Sequence, residues 1–587
     1  MFRRSTTQTS FFDPWFGLTD AKRARLDRTW APVFRERIVP LIDETAFAHF
    51  YCPDNGRPNA PIRLVVGVLL LKEWFDLTDA EALGALEYDM RWHVALAVDP
   101  ASAHLCQKTL HTFRAVLYGD EAACLLFEHL TDALTAALGV TTRAQRLDST
   151  HIQSNFARLT RLGVFCETQR VLLRALTREA VALLETIPSS LRRRYLDEDG
   201  TDSSYDDARA SDSRRRLGVA ARDAYRLREA LRGVALPAAA AAAYALVVRL
   251  VEEHCELVAA PQACAEGDAD ADLAPVPVVA KEAKALTGDV LQTPHDPGVT
   301  YSGHKGQGYD VLVAETCAPD NPVQLITHVS LERACESDAD RVEPTVEALA
   351  AREMTPDRLL ADTSFGSVEN VAACARQGVE LIAPQPGTAG DTESPPTLCV
   401  RDEEFTVQLT PAQPPSTCPC GVAALQTVLR DDPEEGPVAL VQMPASACAA
   451  CPRRGWCPAL TLADGDRLVL IALRENLPAR RRAVEETAAF LDAYRPRAGI
   501  EGTNSELKRG QGLRKLRVRG EERVRLSVYF KALACNVKRA VNYWVAQRKQ
   551  GVFANSGAQK GTSIGQTALI GDRVLPRWPL WAPMPGL

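Results

Sequence analysis

Two features that would settle the class of this chain at once are missing from it. No apolar run approaches the ~20 residues a membrane-spanning helix needs. The longest, Leu64–Leu71 and Leu236–Val248, stop short, and the second is mostly alanine. Met1–Ser10 is polar and lacks the apolar centre of a secretion signal. The expectation is a cytoplasmic protein with no membrane partner. An overall excess of positive charge is missing too: the 587 residues carry a formal net charge of −7. Internal repeats are absent. A disulfide framework does not suit a reducing compartment, so the 16 cysteines read as small buried hydrophobes, such as Cys124 and Cys166, or as metal ligands.

What is present is ordinary globular composition, 46% hydrophobic and 24% charged. The length suggests roughly three or four domains. Residues 1–140 read as an all-helical domain, with an apolar segment at Pro61–Phe75, a capping box at Thr78-Asp-Ala-Glu81 and a helix over Ala101–Leu117. Short helices with tight joints suit a helix-turn-helix-like DNA-binding unit. Ala144–His151 reads as a strand ending in the acidic Asp148. Residues 156–285 read as a helical insertion with charge-rich linkers at Leu196–Arg216 and Ala265–Leu273. A hairpin follows, Gly308–Glu315 and Val323–Leu331 about the Asp320-Asn-Pro322 turn. Then come a helix (Val342–Arg352), a strand ending in Asp362, a helix (Val368–Gln377) and a strand (Val379–Ala383). Residues 389–473 read as a β-rich, cysteine-containing insertion with strands at Phe405–Leu409 and Leu468–Leu473. A helical pattern over Glu485–Lys508 is interrupted by Pro496, and another helix spans Glu521–Arg548. Residues 551–587 read as a poorly ordered tail. Strand, hairpin, helix, strand, helix, strand and a late helix form the order of an α/β ribonuclease-H-like core, a mixed sheet with flanking helices. It is assembled from 141–155, 286–388 and 474–550.

Three carboxylates stand out against that order. Phosphodiester chemistry needs in-line geometry and positive charge on the attacking and leaving oxygens, which two divalent ions supply. Mg²⁺ takes carboxylate oxygens and keeps several waters. Asp148 and Asp362 each close an expected strand, and Glu501 lies on an expected helix that can reach back across the site. Tyr494, Arg497, Glu501 and Lys508 are separated by two, three and six residues, a spacing that puts them on one helix face. Pro496 suits a helix start. Glu506 is a rival ligand whose spacing puts it off that face.

This Tyr-Arg-Glu-Lys spacing resembles the signature of bacterial insertion-sequence DDE transposases. Leu147-Asp148-Ser-Thr-His resembles their first Asp motif. Leu360-Ala-Asp362-Thr-Ser-Phe-Gly-Ser resembles the second, with Phe365 and Gly366 in reversed order. The N-terminal helices and Gly512–Arg539, with Asn536-Val-Lys-Arg539, also resemble family members. The resemblance implies DNA end cleavage by activated water, followed by strand transfer of the freed 3′-hydroxyl. It implies two Mg²⁺ ions, with Mn²⁺ able to substitute, held by Asp148, Asp362 and Glu501, with Asp148 the bridge. Arg497 and Lys508 would then meet phosphates, and Tyr494 would pack on or hydrogen-bond the strand end. The expected partners are double-stranded DNA, both terminal inverted repeats and target, and a second copy of the chain on that DNA. The alternatives are an inactive DNA-binding descendant and a metal-dependent nuclease without strand transfer.

Local charge supports a DNA partner. Arg480–Lys549 holds 18 Lys and Arg against 7 Asp and Glu, and the acidic stretch Glu252–Asp272 compensates elsewhere. Lys508, Arg509, Arg514, Lys515, Arg517 and Arg519 are the candidate phosphate contacts, which give affinity but little sequence information. Cysteines crowd at Cys418, Cys420, Cys448, Cys451 and Cys457. The Cys448-Ala-Ala-Cys451 pair suits tetrahedral Zn²⁺. The expected structural ligands are Cys418, Cys448, Cys451 and Cys457, with Cys420 the spare.

Overall fold

The computed structural model describes residues 1–4, 18–118, 121–197, 199–259, 273–387 and 400–550. The expected tail at 551–587 and most of the Ala265–Leu273 linker lie outside the described residues.

Five strands form the centre. They are β1 (Ala144–Ile152), β2 (Gly306–Thr316), β3 (Ile326–Arg333), β4 (Arg358–Leu360) and β5 (Glu380–Ile382). Their lateral order is β3-β2-β1-β4-β5. β2 runs antiparallel to both β1 and β3, and β4 and β5 run parallel to β1. A short strand, Thr300–Ser302, pairs with the start of β2. Helix α1 (Val342–Ala351) joins β3 to β4, and α2 (Val368–Arg376) joins β4 to β5. Late in the chain come α3 (Gly499–Gly510) and the long α4 (Glu521–Lys549).

Side chains of a strand alternate between faces, and the two faces of this sheet feed different cores. Leu147, Leu312 and Ala314 point to a cluster with α1 and α2. Ile152, Tyr309, Val311 and Val313 point to a cluster built on α4. Both faces are covered, which is why β2 is buried from Gly308 to Thr316 with no polar-out alternation.

The N-terminal helices join the α4 cluster. Ile62–Trp74 forms a helix whose apolar residues are buried all round, packed against α4. The capping box is present: Thr78 Oγ1 accepts from the Glu81 amide, and Glu81 accepts from the Thr78 amide. A buried ionic knot fixes this packing, with Lys531 of α4 2.6 Å from Glu73 Oε2 and Lys72 2.7 Å from Glu73 Oε1. Five helices between Arg161 and His254 close a separate core with a two-stranded ribbon, Cys255–Leu257 and Val278–Ala280. A four-stranded antiparallel sheet between Gln426 and Ala472 packs on the α1/α2 side.

Several local expectations change. β1 runs on through Ser149, Thr150 and His151 to Ile152, because β2 is long enough to pair with all of them. Asp148 therefore sits within the strand and not at its end. β4 stops at Leu360, and Asp362 instead caps the 3₁₀ turn Thr363–Phe365 through the Ser364 amide. Ala101–Leu117 is helical only from Gln107. Phe405–Leu409 is no strand; Thr406 makes a single bridge to Thr417. The Glu485–Lys508 pattern breaks into the end of a helix at Glu485, a helix at Ala488–Tyr494, a 3₁₀ turn at Arg495–Ala498 and then α3. Proline suits the first turn of a helix, and Pro496 lies at the start of that 3₁₀ turn.

Candidate active site

Asp148 in β1, Asp362 after β4 and Glu501 in α3 come together at one guanidinium. Arg497 Nη2 stands 3.4 Å from Asp148 Oδ1 and 3.5 Å from Asp362 Oδ2. Its Nη1 stands 3.3 Å from Glu501 Oε1, one helical turn on. These contacts are long for charge-assisted hydrogen bonds, which close to roughly 2.7–2.9 Å, so the arrangement is a loose ion cluster. Asp148 and Arg497 are largely buried, whereas the Glu501 side chain is 69% exposed.

The two aspartates are held by their own neighbourhoods, whereas Glu501 pairs with Arg497. Asp362 Oδ1 accepts from the Ser364 amide at 2.9 Å and from its hydroxyl. Asp148 Oδ1 accepts from the Ser149 amide at 3.0 Å, and Oδ2 accepts from Asn504 Nδ2 at 3.0 Å. Burial pushes the Asp148 carboxyl up to about 6; Arg497 opposes the rise and the Asp362 charge adds to it.

The segment carrying Arg497 and Glu501 is anchored from beneath. Glu315 of β2 is fully buried and accepts from Arg146 Nε at 2.7 Å, Thr503 Oγ1 at 2.5 Å and Arg539 Nη1 at 2.5 Å. Arg146 also donates Nη1 to the Pro496 carbonyl at 2.7 Å. It passes so close to Gly499 that a Cβ there would lie 1.9 Å from Nη1. Only glycine admits that approach. Glu506 lies away from the cluster, 3.0 Å from both Lys538 and Arg539.

The basic stretch is a built segment. Residues 514–518 run beside the end of β1: Gln153 donates to the Arg514 carbonyl at 3.1 Å, and Asn155 to the Val518 carbonyl at 2.8 Å. Arg509, Arg514, Lys515 and Arg519 are exposed. Arg517, also exposed, is 2.8 Å from Asp76 and so ties this segment to the N-terminal helices. Lys508 is half-buried, and burial holds its ammonium below the usual lysine value; Asp310, Arg514, Lys305 and Asp148 all lie in its field. Tyr494 stacks on Phe490 at 5.7 Å against Leu360 and Ile382 at the ends of β4 and β5.

All five clustered cysteines line one small cavity. Cys420, which the spacing left over, lies with its sulfur 3.4 Å from that of Cys451. Cys451 and burial push the Cys420 thiol up to about 11. Burial and the neighbouring thiols likewise raise Cys448. Among the described residues, no three His, Cys, Asp or Glu side chains are arranged to hold an ion as they stand.

Asn504, Arg146 and Glu315 carry no motif that sequence reading could single out. Asn504 has one weak signal, its place three residues after Glu501 on the same helix face. The buried Glu315 is invisible in a strand that reads simply as β-rich.

Two stretches of the chain match known family models. Residues 417–541 match the Transposase DDE domain, a span holding Tyr494, Arg497, Glu501, Lys508 and the five clustered cysteines. Residues 24–115 match the Transposase domain (DUF772), which covers most of the N-terminal helices. No curated protein and no solved structure matches the chain. The matched families are transposase families, so transposition is the function they indicate. Together they support an insertion-sequence DDE transposase, a kind of protein that binds DNA and generally uses divalent metals. Among the described residues, no helix is long and apolar enough to cross a membrane.

Proposed function

We propose that this chain cleaves the ends of an insertion sequence and joins them to target DNA, on a ribonuclease-H-like core, with Asp148, Asp362 and Glu501 holding two Mg²⁺ ions. The observation that carries the reading is the gathering of these three carboxylates, from three distant segments, around the single guanidinium of Arg497. The strand order β3-β2-β1-β4-β5, with β2 antiparallel to its two neighbours and β4 and β5 parallel to β1, supports the core assignment.

The donor set fits a hard divalent cation. It is all carboxylate oxygen, and burial already makes the Asp148 charge costly with only one cation beside it. When bound there, Mg²⁺ supplies positive charge at the attacking and leaving oxygens and lowers the pKa of attacking water. The protein's own groups do the rest. Asn504 fixes the plane of the Asp148 carboxylate. Arg497 is close enough to swing from the carboxylates to a phosphate of the strand being cut. Lys508 and the exposed Arg509, Arg514, Lys515 and Arg519 would seat the backbone of double-stranded DNA on either side. Cleavage releases a 3′-hydroxyl, which attacks a target phosphodiester, so no protein nucleophile is needed. Two ends must be paired, so a dimer on DNA is expected.

The cysteine cavity fits one structural Zn²⁺. Burial and neighbouring sulfurs raise its thiols, and a bound ion would hold them as thiolates.

The test uses a plasmid bearing the DNA on either side of the gene, where this reading expects inverted repeats. The native protein with Mg²⁺ should cut at the repeat ends and yield joined products. Asp148→Asn, Asp362→Asn and Glu501→Gln should bind the repeats and fail to cut. Cutting at native rate by Asp148→Asn would reject the assignment, and cutting without joining would reduce the protein to a nuclease.

A further inference from the structure

A fourth carboxylate stands at the same mouth. Asp338 opens the 3₁₀ turn Asp338–Arg341 that leads into α1. Its Oδ2 accepts from Ser149 Oγ at 2.7 Å, and Ser149 directly follows Asp148 on β1. The turn packs on Thr363–Phe365, the turn that Asp362 caps. Asp338 therefore sits beside the residue that follows Asp148 on β1, in a turn packed on the one that Asp362 caps.

A cationic side chain now stands beside it. Lys305 Nζ lies 3.5 Å from Asp338 Oδ2, 2.9 Å from Asp310 Oδ2 and 3.2 Å from Ser149 Oγ. Arg497 plays the same part between Asp148 and Asp362. The mouth thus has two places where carboxylates from different segments gather about one positive charge.

A second observation points to a missing occupant. Asn504 is only 9% exposed and commits Nδ2 to Asp148, but among the described residues its Oδ1 has no hydrogen-bond partner. Leaving a buried acceptor bare costs about 1–3 kcal/mol. A water molecule held on a cation beside Asp148 is a donor suited to that carbonyl.

We propose that Asp338 is a fourth carboxylate of the divalent-cation centre, completing it from the α1 side of the sheet. The inference rests on the metal-dependent reading given above. It differs from that reading in adding a ligand from a segment outside the three acidic motifs and outside both family matches.

The test is a Mn²⁺ titration of the full-length protein without DNA, with free Mn²⁺ read by electron paramagnetic resonance. Asp338→Asn keeps an acceptor for Ser149 and should weaken Mn²⁺ binding about tenfold or more. Asp338→Glu restores the charge and should recover much of that affinity. Ser149→Ala removes the hydrogen bond, keeps the carboxylate and should bind Mn²⁺ close to the native level. Melting curves of each variant confirm that it is folded. Native affinity in Asp338→Asn, beside weakened binding in Asp148→Asn, would overturn the role of Asp338 alone. Equal losses in Asp338→Asn and Ser149→Ala would assign the effect to the hydrogen bond and overturn it too. Unchanged binding in Asp148→Asn as well would instead reject the metal-centre reading.

Discussion

Asn504 donates Nδ2 to Asp148 Oδ2 at 3.0 Å across 356 residues of sequence. The bond couples α3, which carries Glu501, to the middle of β1. A neutral donor there fixes the carboxylate's orientation without competing for its charge. Removing such an orienting partner usually costs 10–100-fold in metal affinity or activity, so Asn504→Ala should slow single-turnover end cleavage by about that factor. Gel-shift affinity for the repeat should be unchanged. Native cleavage rates in the variant would show the bond to be incidental.

Among the described residues, Arg497 is the one cation paired with all three acids of the proposed centre. Arg497→Ala should lower the melting temperature of the metal-free protein, because Asp148 and Asp362 then face each other without a cation. Mg²⁺ should restore more of that loss in the variant than it adds to the native protein, since it would bind the native state selectively. Equal Mg²⁺-induced shifts in both proteins would count against a cation site at this position.

Beneath the site, Glu315 is shared by Arg146, Thr503 and Arg539. Glu315→Gln takes from Arg146 its buried carboxylate partner and leaves Arg539 with Glu506 alone. Breaking a buried pair in this way costs about 3–5 kcal/mol, measurable by urea unfolding. Gly499→Ala should act on the same joint by pushing Arg146 away, and cleavage should suffer more than DNA binding. A Glu315→Gln variant as stable as the native protein would remove this anchor from the explanation.

The N-terminal helices are tied on by Glu73. Burial opposes its charge, yet Lys531 and Lys72 hold its carboxyl down to about 2. A carboxyl depressed in the folded state contributes stability that is fully present above the ordinary glutamate value of about 4.5 and is lost as pH falls towards 2. Lys531→Met should remove that contribution, flattening the decline in melting temperature between those limits and lowering stability at neutral pH. An unchanged acid profile in Lys531→Met would contradict this role.

The cysteine cavity predicts about one equivalent of zinc per chain, from one tetrahedral site. Strong chelation should release it and lower the melting temperature. Elemental analysis of folded, metal-free protein would refute the site. Comparing Cys420→Ser with Cys418→Ser would show which of the five thiols the ion uses.

Motif spacing made the outer parts of this site legible. Asp148, Asp362, Arg497 and Glu501 could be proposed because their motifs resemble those of insertion-sequence DDE transposases and their residue types suit a divalent-cation centre. The hairpin over 306–333 and the capping box at Thr78 were legible for similar local reasons. Asp148 was misplaced to a strand end because strand length depends on the partner strand, which a local pattern does not contain. Asn504, Glu315 and Asp338 were hidden for a related reason. A buried Glu or a turn Asp looks like any other until tertiary contacts place Arg146, Arg539 or Ser149 beside it.

The convergence of three segments on one cation centre can be tested without DNA. Fe²⁺ replaces Mg²⁺ in the protein, and ascorbate and hydrogen peroxide then generate radicals that cut the backbone beside the bound iron. Fragments should map near residues 148, 362 and 501 together, and excess Mg²⁺ should suppress all three cuts in parallel. Cutting at only one of these places, or cutting that Mg²⁺ leaves untouched, would contradict a shared centre.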